Sequence, residues 1–131
     1  MNTSDSSRGR ALVCDDSLLM RKLVIDSLTE DGWTIVGEAQ NGKEAVEMYK
    51  SLTPDVVTMD IVMPEHDGIY GLEHIIEHDP EAKVVVVSAL NQTSLVAEAV
   101  RKGAQDFIVK PFLPEHLQET MRRLVDANLP A

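Results

Sequence analysis

An α/β fold built on a doubly wound parallel sheet is predicted by three observations. Short apolar runs rich in β-branched residues recur along the chain, and each is followed by a segment with helical spacing. The runs also lack the apolar–polar alternation of a half-exposed strand, so both of their faces are expected to be covered. Parallel neighbours need right-handed crossover connections, so five such β-then-α units imply a single sheet with helices on both faces.

The elements run in order along the chain. The strand runs are "ALVCD" (11–15), "TIVGEA" (34–39), "DVVTMD" (55–60), "KVVVVSA" (83–89) and "DFIVK" (106–110). Between them apolar residues recur at three- and four-residue steps. Met20, Leu23, Val24 and Leu28 form the first stripe; Ala45, Met48, Tyr49 and Leu52 the second; Ile69, Leu72, Ile75 and Ile76 the third. Leu95, Val96, Ala99 and Val100 form a fourth, and Leu113, Leu117, Met121, Leu124 and Val125 a fifth. Ser17 is placed to cap the first helix, and Gly32 and Gly103 to end helices. Asn41-Gly42 and Asp67-Gly68 are placed to turn the chain into the next helix. Residues 1–9, polar and without periodicity, are expected to be a disordered tail.

Composition narrows the function. At 131 residues one domain is the default. No run of about 18 apolar residues exists to span a bilayer, and the polar start lacks a secretory signal, so the cytoplasm is the expected compartment with no membrane partner. A formal charge of −10 disfavours a nucleic-acid partner, whose recognition relies on clustered Lys and Arg. The single cysteine, Cys14, lies in an apolar run and reads as a small buried strand residue, not a reactive thiol.

Sheets of this type bind ligands beyond the carboxyl ends of their strands. Those ends carry Asp15 and Asp16 after the first strand, Asp60 after the third, Ser88 at the fourth and Lys110, followed by Pro111, at the fifth. Two carboxylates about 5 Å apart repel by roughly 3 kcal/mol at an effective dielectric near 20, and a single lysine is too little to offset three. A hard divalent ion held by oxygens fits the deficit, Mg²⁺ in particular, because it takes one or two carboxylates and leaves positions for phosphate oxygens. A carboxylate beside that ion and an ammonium is suited to nucleophilic attack on phosphorus.

Each residue alone has a plainer explanation. Asp15-Asp16-Ser17 could be a helix-capping turn, Asp60 a turn-former, Ser88 a satisfied strand-end hydroxyl and Lys110 a surface charge. Their joint placement at successive strand ends argues for a site. His74 and His78, four apart, have ligand-like spacing but no third ligand, and read as a solvated helix face. No Gly-rich loop follows the first strand, which disfavours dinucleotide or P-loop binding.

The motifs "LVCDDS", "DVVTMDIVMPEHDG", "VVVVSA" and "DFIVKPF" in this order resemble the receiver domain of two-component response regulators. The resemblance covers about residues 10–127, leaving 128–131 as a C-terminal tail. Within the family, "TMDIVMPE" and "SALNQTSLVAEAVRKGAQDFIVKPF" look most like single-domain chemotaxis regulators of the CheY type. The resemblance implies a flavodoxin-like, CheY-like three-layer sandwich with five helices and strand order 2-1-3-4-5. It implies that Asp60 accepts a phosphoryl group from a sensor histidine kinase of the CheA type. It makes Asp15, Asp16, Asp60 and the backbone carbonyl of Val62 the Mg²⁺ ligands, and sets Ser88 and Lys110 on the phosphoryl oxygens. It also implies a cis Lys110-Pro111 bond.

As a switch, the family pairs Ser88 with an aromatic on the fifth strand, here Phe107. Lacking a hydroxyl, Phe107 is expected to favour an inward position through burial alone. Val62 and Leu90 stand where fast-hydrolysing members carry polar groups, so slow loss of phosphate and a separate phosphatase are expected. The implied role is a stand-alone, monomeric signalling switch, not an enzyme, acting on a flagellar motor switch or other output protein. The alternatives are a phosphorelay intermediate or phosphate sink and, less well supported, an Mg²⁺-dependent phosphatase, which the missing DxD motif and the lack of a substrate pocket or cap segment disfavour.

Overall fold

The computed structural model describes residues 7–64, 66–89 and 91–125. Five strands alternate with five helices: β1 (Arg10–Cys14), α1 (Leu18–Glu30), β2 (Thr34–Ala39), α2 (Gly42–Leu52), β3 (Val56–Asp60), α3 (Gly68–His78), β4 (Val84–Ala89), α4 (Thr93–Arg101), β5 (Asp106–Lys110) and α5 (Pro114–Val125). All strand pairs are parallel, in the order β2-β1-β3-β4-β5. The strands begin or end within a residue of the predicted runs, and Asp15 sits immediately after β1 instead of inside it. Residues 1–6 of the expected N-terminal tail and the whole of the expected C-terminal tail lie outside the described residues.

Strand geometry explains the two-sided cover. Successive strand side chains point to opposite faces. Leu12, Cys14, Val57, Met59, Val84 and Val86 pack with Ala45, Tyr49, Leu72, Ile75 and Ala99, on the side of α2, α3 and α4. Ala11, Val13, Val56, Val85 and Ile108 pack with Val24, Leu28, Leu117 and Met121, on the side of α1 and α5. Each fully buried Leu, Ile or Val among them contributes roughly 1.5–3 kcal/mol relative to exposure.

Local chemistry sets the helix ends. Ser17 Oγ accepts from the Met20 N–H, Asn41 Oδ1 from Glu44 and Asp67 Oδ1 from Tyr70, so three caps satisfy orphan donors. Gly32 (φ 92°) and Gly103 (φ 114°) take the left-handed conformation just beyond α1 and α4. The start of α3 bears directly on the carboxyl edge of the sheet. Its Gly68 N–H donates to Ile61 O at 2.8 Å, and a Cβ there would collide with the Asp60 carbonyl, so only glycine lets the helix close over the end of β3.

Three stripe residues depart from expectation. Leu23 is 48% exposed, Val100 49% and Leu113 70%, although their spacing predicts burial. Leu113 precedes α5 and belongs to the loop after β5. Leu23 instead lines an apolar cleft of about 350 Å³ with Met20, Ser27, Lys110, Pro111, Phe112 and Pro114. No helix among the described residues is long and apolar enough to cross a membrane.

Candidate functional site

The register aligns the carboxyl ends of the strands. Cys14 pairs with Met59, Asp60 with Val87 and Ala89 with Lys110, so the residues closing β1, β3, β4 and β5 share one edge. The strand order reverses between β1 and β3, the position at which sheets of this type bind ligands.

Three carboxylates converge there. Asp15, Asp16 and Asp60 each offer an oxygen within 4.8 Å of the others. Asp15 and Asp60 are buried, whereas Asp16 faces solvent. Asp15 is held on every side: its N–H donates to Ala39 O, its Oδ1 accepts from the Ser17 N–H at 2.9 Å, and its Oδ2 accepts from Lys110 Nζ at 3.1 Å. Lys110 Nζ also lies 3.5 Å from Asp60 Oδ2. The Lys110-Pro111 bond is cis.

The electrostatics match the deficit read from the sequence. Burial and the neighbouring Asp15 charge push the Asp60 carboxyl up to about 6, against the opposing pull of Lys110 and the Val62 N–H. One ammonium therefore does not compensate the cluster. An all-oxygen donor set with excess negative charge and one solvent-facing carboxylate suits a hard divalent cation that keeps some waters.

Ser88 is fully buried, and its Oγ has no hydrogen-bond partner among the described residues. An unpaired buried hydroxyl costs about 1–3 kcal/mol, so Ser88 Oγ is left available to a donor or acceptor that the described residues do not supply. Ser88 and Phe107 line a cleft of about 120 Å³ with Ala89, Thr93, Val96 and Val109. Phe107 is 43% exposed, so its ring lies outward in this structure. A cavity of about 150 Å³ is the scale that admits a benzene ring, and this cleft is smaller. Val62 is exposed beside Asp60, and Leu90 lies outside the described residues.

The other candidates behave as the plainer explanations expect. Cys14 is buried, and burial followed by the Asp15 charge raises its thiol far above the usual range. His74 packs against Tyr70 with the rings tilted at 49° and their centroids 4.2 Å apart, and His78 meets Tyr49 edge-on at 6.3 Å. One contributor is missed by sequence reasoning: Arg21, buried on α1, donates from Nη1 to the Asp15 carbonyl oxygen at 2.7 Å. Nothing in the local spacing points to it, because its second partner, Glu38, comes from β2. The cleft beside Lys110 is likewise invisible in the spacing, and apart from Ser27 and Lys110 its lining is apolar.

Comparison with known proteins agrees with this geometry. Residues 11–122 match the family described as the response regulator receiver domain. The chemotaxis protein CheY of Thermotoga maritima is 49% identical over 115 residues, covering 88% of this chain and 96% of that protein. The chemotaxis protein CheY of Bacillus subtilis is 44% identical, covering 89% and 98%. Among solved structures, a chain of the CheX-CheY-BeF3-Mg+2 complex from Borrelia burgdorferi superposes with a TM-score of 0.83 at 35% identity, covering 99% of this chain and 96% of that one.

Proposed function

The chain belongs to the response regulator receiver family, and from that premise we propose that it is a stand-alone phosphorylation switch whose Asp60 accepts a phosphoryl group from a sensor histidine kinase. The observation that carries this reading is the position of Asp60. It ends a fully buried strand with its carboxylate beside Asp15, Asp16 and the Lys110 ammonium. Of the three carboxylates Asp60 alone is mounted on a strand, whereas Asp15 accepts a short hydrogen bond at each oxygen.

In the transfer, an Asp60 carboxylate oxygen attacks the phosphorus of a phosphohistidine. The new O–P bond forms as the N–P bond breaks, and the electron pair returns to the leaving imidazole. Lys110 Nζ is close enough to pair with a phosphoryl oxygen as charge builds on it, and the unpartnered Ser88 hydroxyl supplies a donor. Asp15, Asp16 and Asp60, with the Val62 carbonyl, would hold Mg²⁺, which when bound offsets negative charge on the transferring group.

The product adds about −1.5 to −2 charge where Ser88 can reach it. Drawing Ser88 toward that charge enlarges the cleft it shares with Phe107, and a ring then has room to turn in. Output would be read on the surface formed by α4, β5 and α5. Relatives named as chemotaxis proteins favour a chemotaxis role, with a CheA-type kinase as donor and a motor switch or similar protein as target. The neighbour solved as a CheX-CheY complex favours a separate phosphatase, in line with the apolar Val62. The receiver unit would span residues 10–127 and work as a cytoplasmic monomer.

The test is incubation with acetyl phosphate and Mg²⁺ followed by intact mass measurement. One added phosphoryl group is expected, absent from Asp60→Asn and absent in EDTA. No adduct under any condition would remove the reading.

A further inference from the structure

Arg21 is 7% exposed, an unusual place for a guanidinium unless its donors are engaged. They are. Nε donates to Glu38 Oε1 at 2.9 Å, and Nη1 donates to the Asp15 carbonyl oxygen at 2.7 Å. That carbonyl belongs to the peptide joining Asp15 to Asp16. The guanidinium thus reaches from α1 back across the loop, and its other edge is fixed to a residue of β2.

The two aspartates differ in what else holds them. The Asp15 side chain is fixed by the Ser17 N–H and by Lys110, and its amide by Ala39. The exposed Asp16 carboxylate makes no hydrogen bond or ion pair among the described residues, yet it lies within 4.8 Å of both other carboxylates. Its direction depends on the orientation of the peptide plane that precedes it. Arg21 is the side chain that sets that plane, since a rotation of the peptide would break a short, buried, charge-assisted bond.

We propose that Arg21, anchored by Glu38, is a positioning residue that aims Asp16 into the metal-binding cluster and so sets Mg²⁺ affinity. The inference rests on the metal reading of the three carboxylates given above. It differs in sign from a simple charge effect. A cation near a cation site lowers affinity, so removal of the Arg21 charge alone would tighten Mg²⁺ binding. Loss of the support behind a ligand typically weakens metal binding by about 10–100-fold.

The experiment is calorimetric titration of the full chain with Mg²⁺, for the parent, Arg21→Met and Arg21→Lys. Arg21→Met is expected to raise the Mg²⁺ Kd roughly 10-fold. Arg21→Lys keeps the charge but replaces a planar fork with one ammonium that cannot hold both oxygens, and is expected to weaken binding severalfold. At saturating Mg²⁺ both variants should accept phosphate from acetyl phosphate at close to the parent rate. Unchanged or tighter binding in Arg21→Met would overturn the inference, as would parent affinity in Arg21→Lys or a lower rate at saturation with unchanged Kd. If Arg21→Met does not fold, Arg21→Lys decides alone. Equal Mg²⁺ binding by parent and variants sinks only this inference, whereas no binding by the parent removes the metal reading with it.

Discussion

Lys110 Nζ donates to Asp15 Oδ2 at 3.1 Å, so the last residue of β5 is tied to the first residue beyond β1 across the end of β3. The same ammonium stands 3.5 Å from Asp60 and is the cation nearest two buried carboxylates. Lys110→Met is therefore expected to destabilise the metal-free protein at pH 7 by about 1–3 kcal/mol, below the range for fully buried pairs because Lys110 is 21% exposed. Urea denaturation should show a smaller loss in saturating Mg²⁺, and an equal loss with and without the ion would contradict the charge argument.

Asp60 carries the opposite sign from an ordinary salt-bridged carboxylate. Its folded-state pKa is raised from 3.8 to about 6, so the fold disfavours the charged form. The native state then binds more protons than the unfolded chain between those values, and stability falls as pH rises through that window. The cost is fully present above about pH 6 and relieved toward pH 4. Asp60→Asn is expected to stabilise the metal-free protein at pH 7 by up to about 3 kcal/mol and to flatten the pH dependence between pH 4 and 7. Denaturant titrations across that range measure both, and destabilisation by Asp60→Asn at pH 7 would refute it.

Ser88→Ala separates stability from switching. Because the hydroxyl is buried without a partner, its removal is expected to leave stability unchanged or raise it by about 1 kcal/mol. The same variant should accept phosphate yet lose most of the conformational response, read as the difference between phosphorylated and free protein in amide exchange along β4 and β5. A full response in Ser88→Ala would show that the cleft beside Phe107 is opened by another group.

Gly68→Ala tests how α3 is set against the site. A methyl group would meet Asp60 and Ile61 backbone, which cannot move aside as a flexible side chain can. A loss of about 2–3 kcal/mol is expected, with slower phosphorylation because the end of β3 must shift. Thermal melts and acetyl phosphate kinetics together check this. A stable variant with normal kinetics would mean that α3 does not constrain Asp60.

Much of the fold and site is legible in the residues themselves. Non-alternating runs such as "VVVVSA" announce strands covered on both faces, and Asp15, Asp60, Ser88 and Lys110 fall at their ends because strand ends are where local pattern and topology coincide. What escapes depends on three-dimensional neighbours. Arg21 looks like any polar helix residue until β2 brings Glu38 beside it. Leu23 has core spacing but borders a cleft where a partner would be, and Leu113 has core character but falls in the loop before α5. Phe107 is apolar enough to bury, yet it stays 43% exposed beside a small cleft that it shares with Ser88.

The central claim, that one carboxylate of the three is the acceptor, is tested most directly by locating the phosphoryl group. Borohydride reduction of the phosphorylated protein converts an acyl phosphate to an alcohol, and tandem mass spectrometry of the peptides then identifies the residue changed. Reduction confined to Asp60 is the expected result, and label on Asp15 or Asp16 in the parent protein would contradict the account.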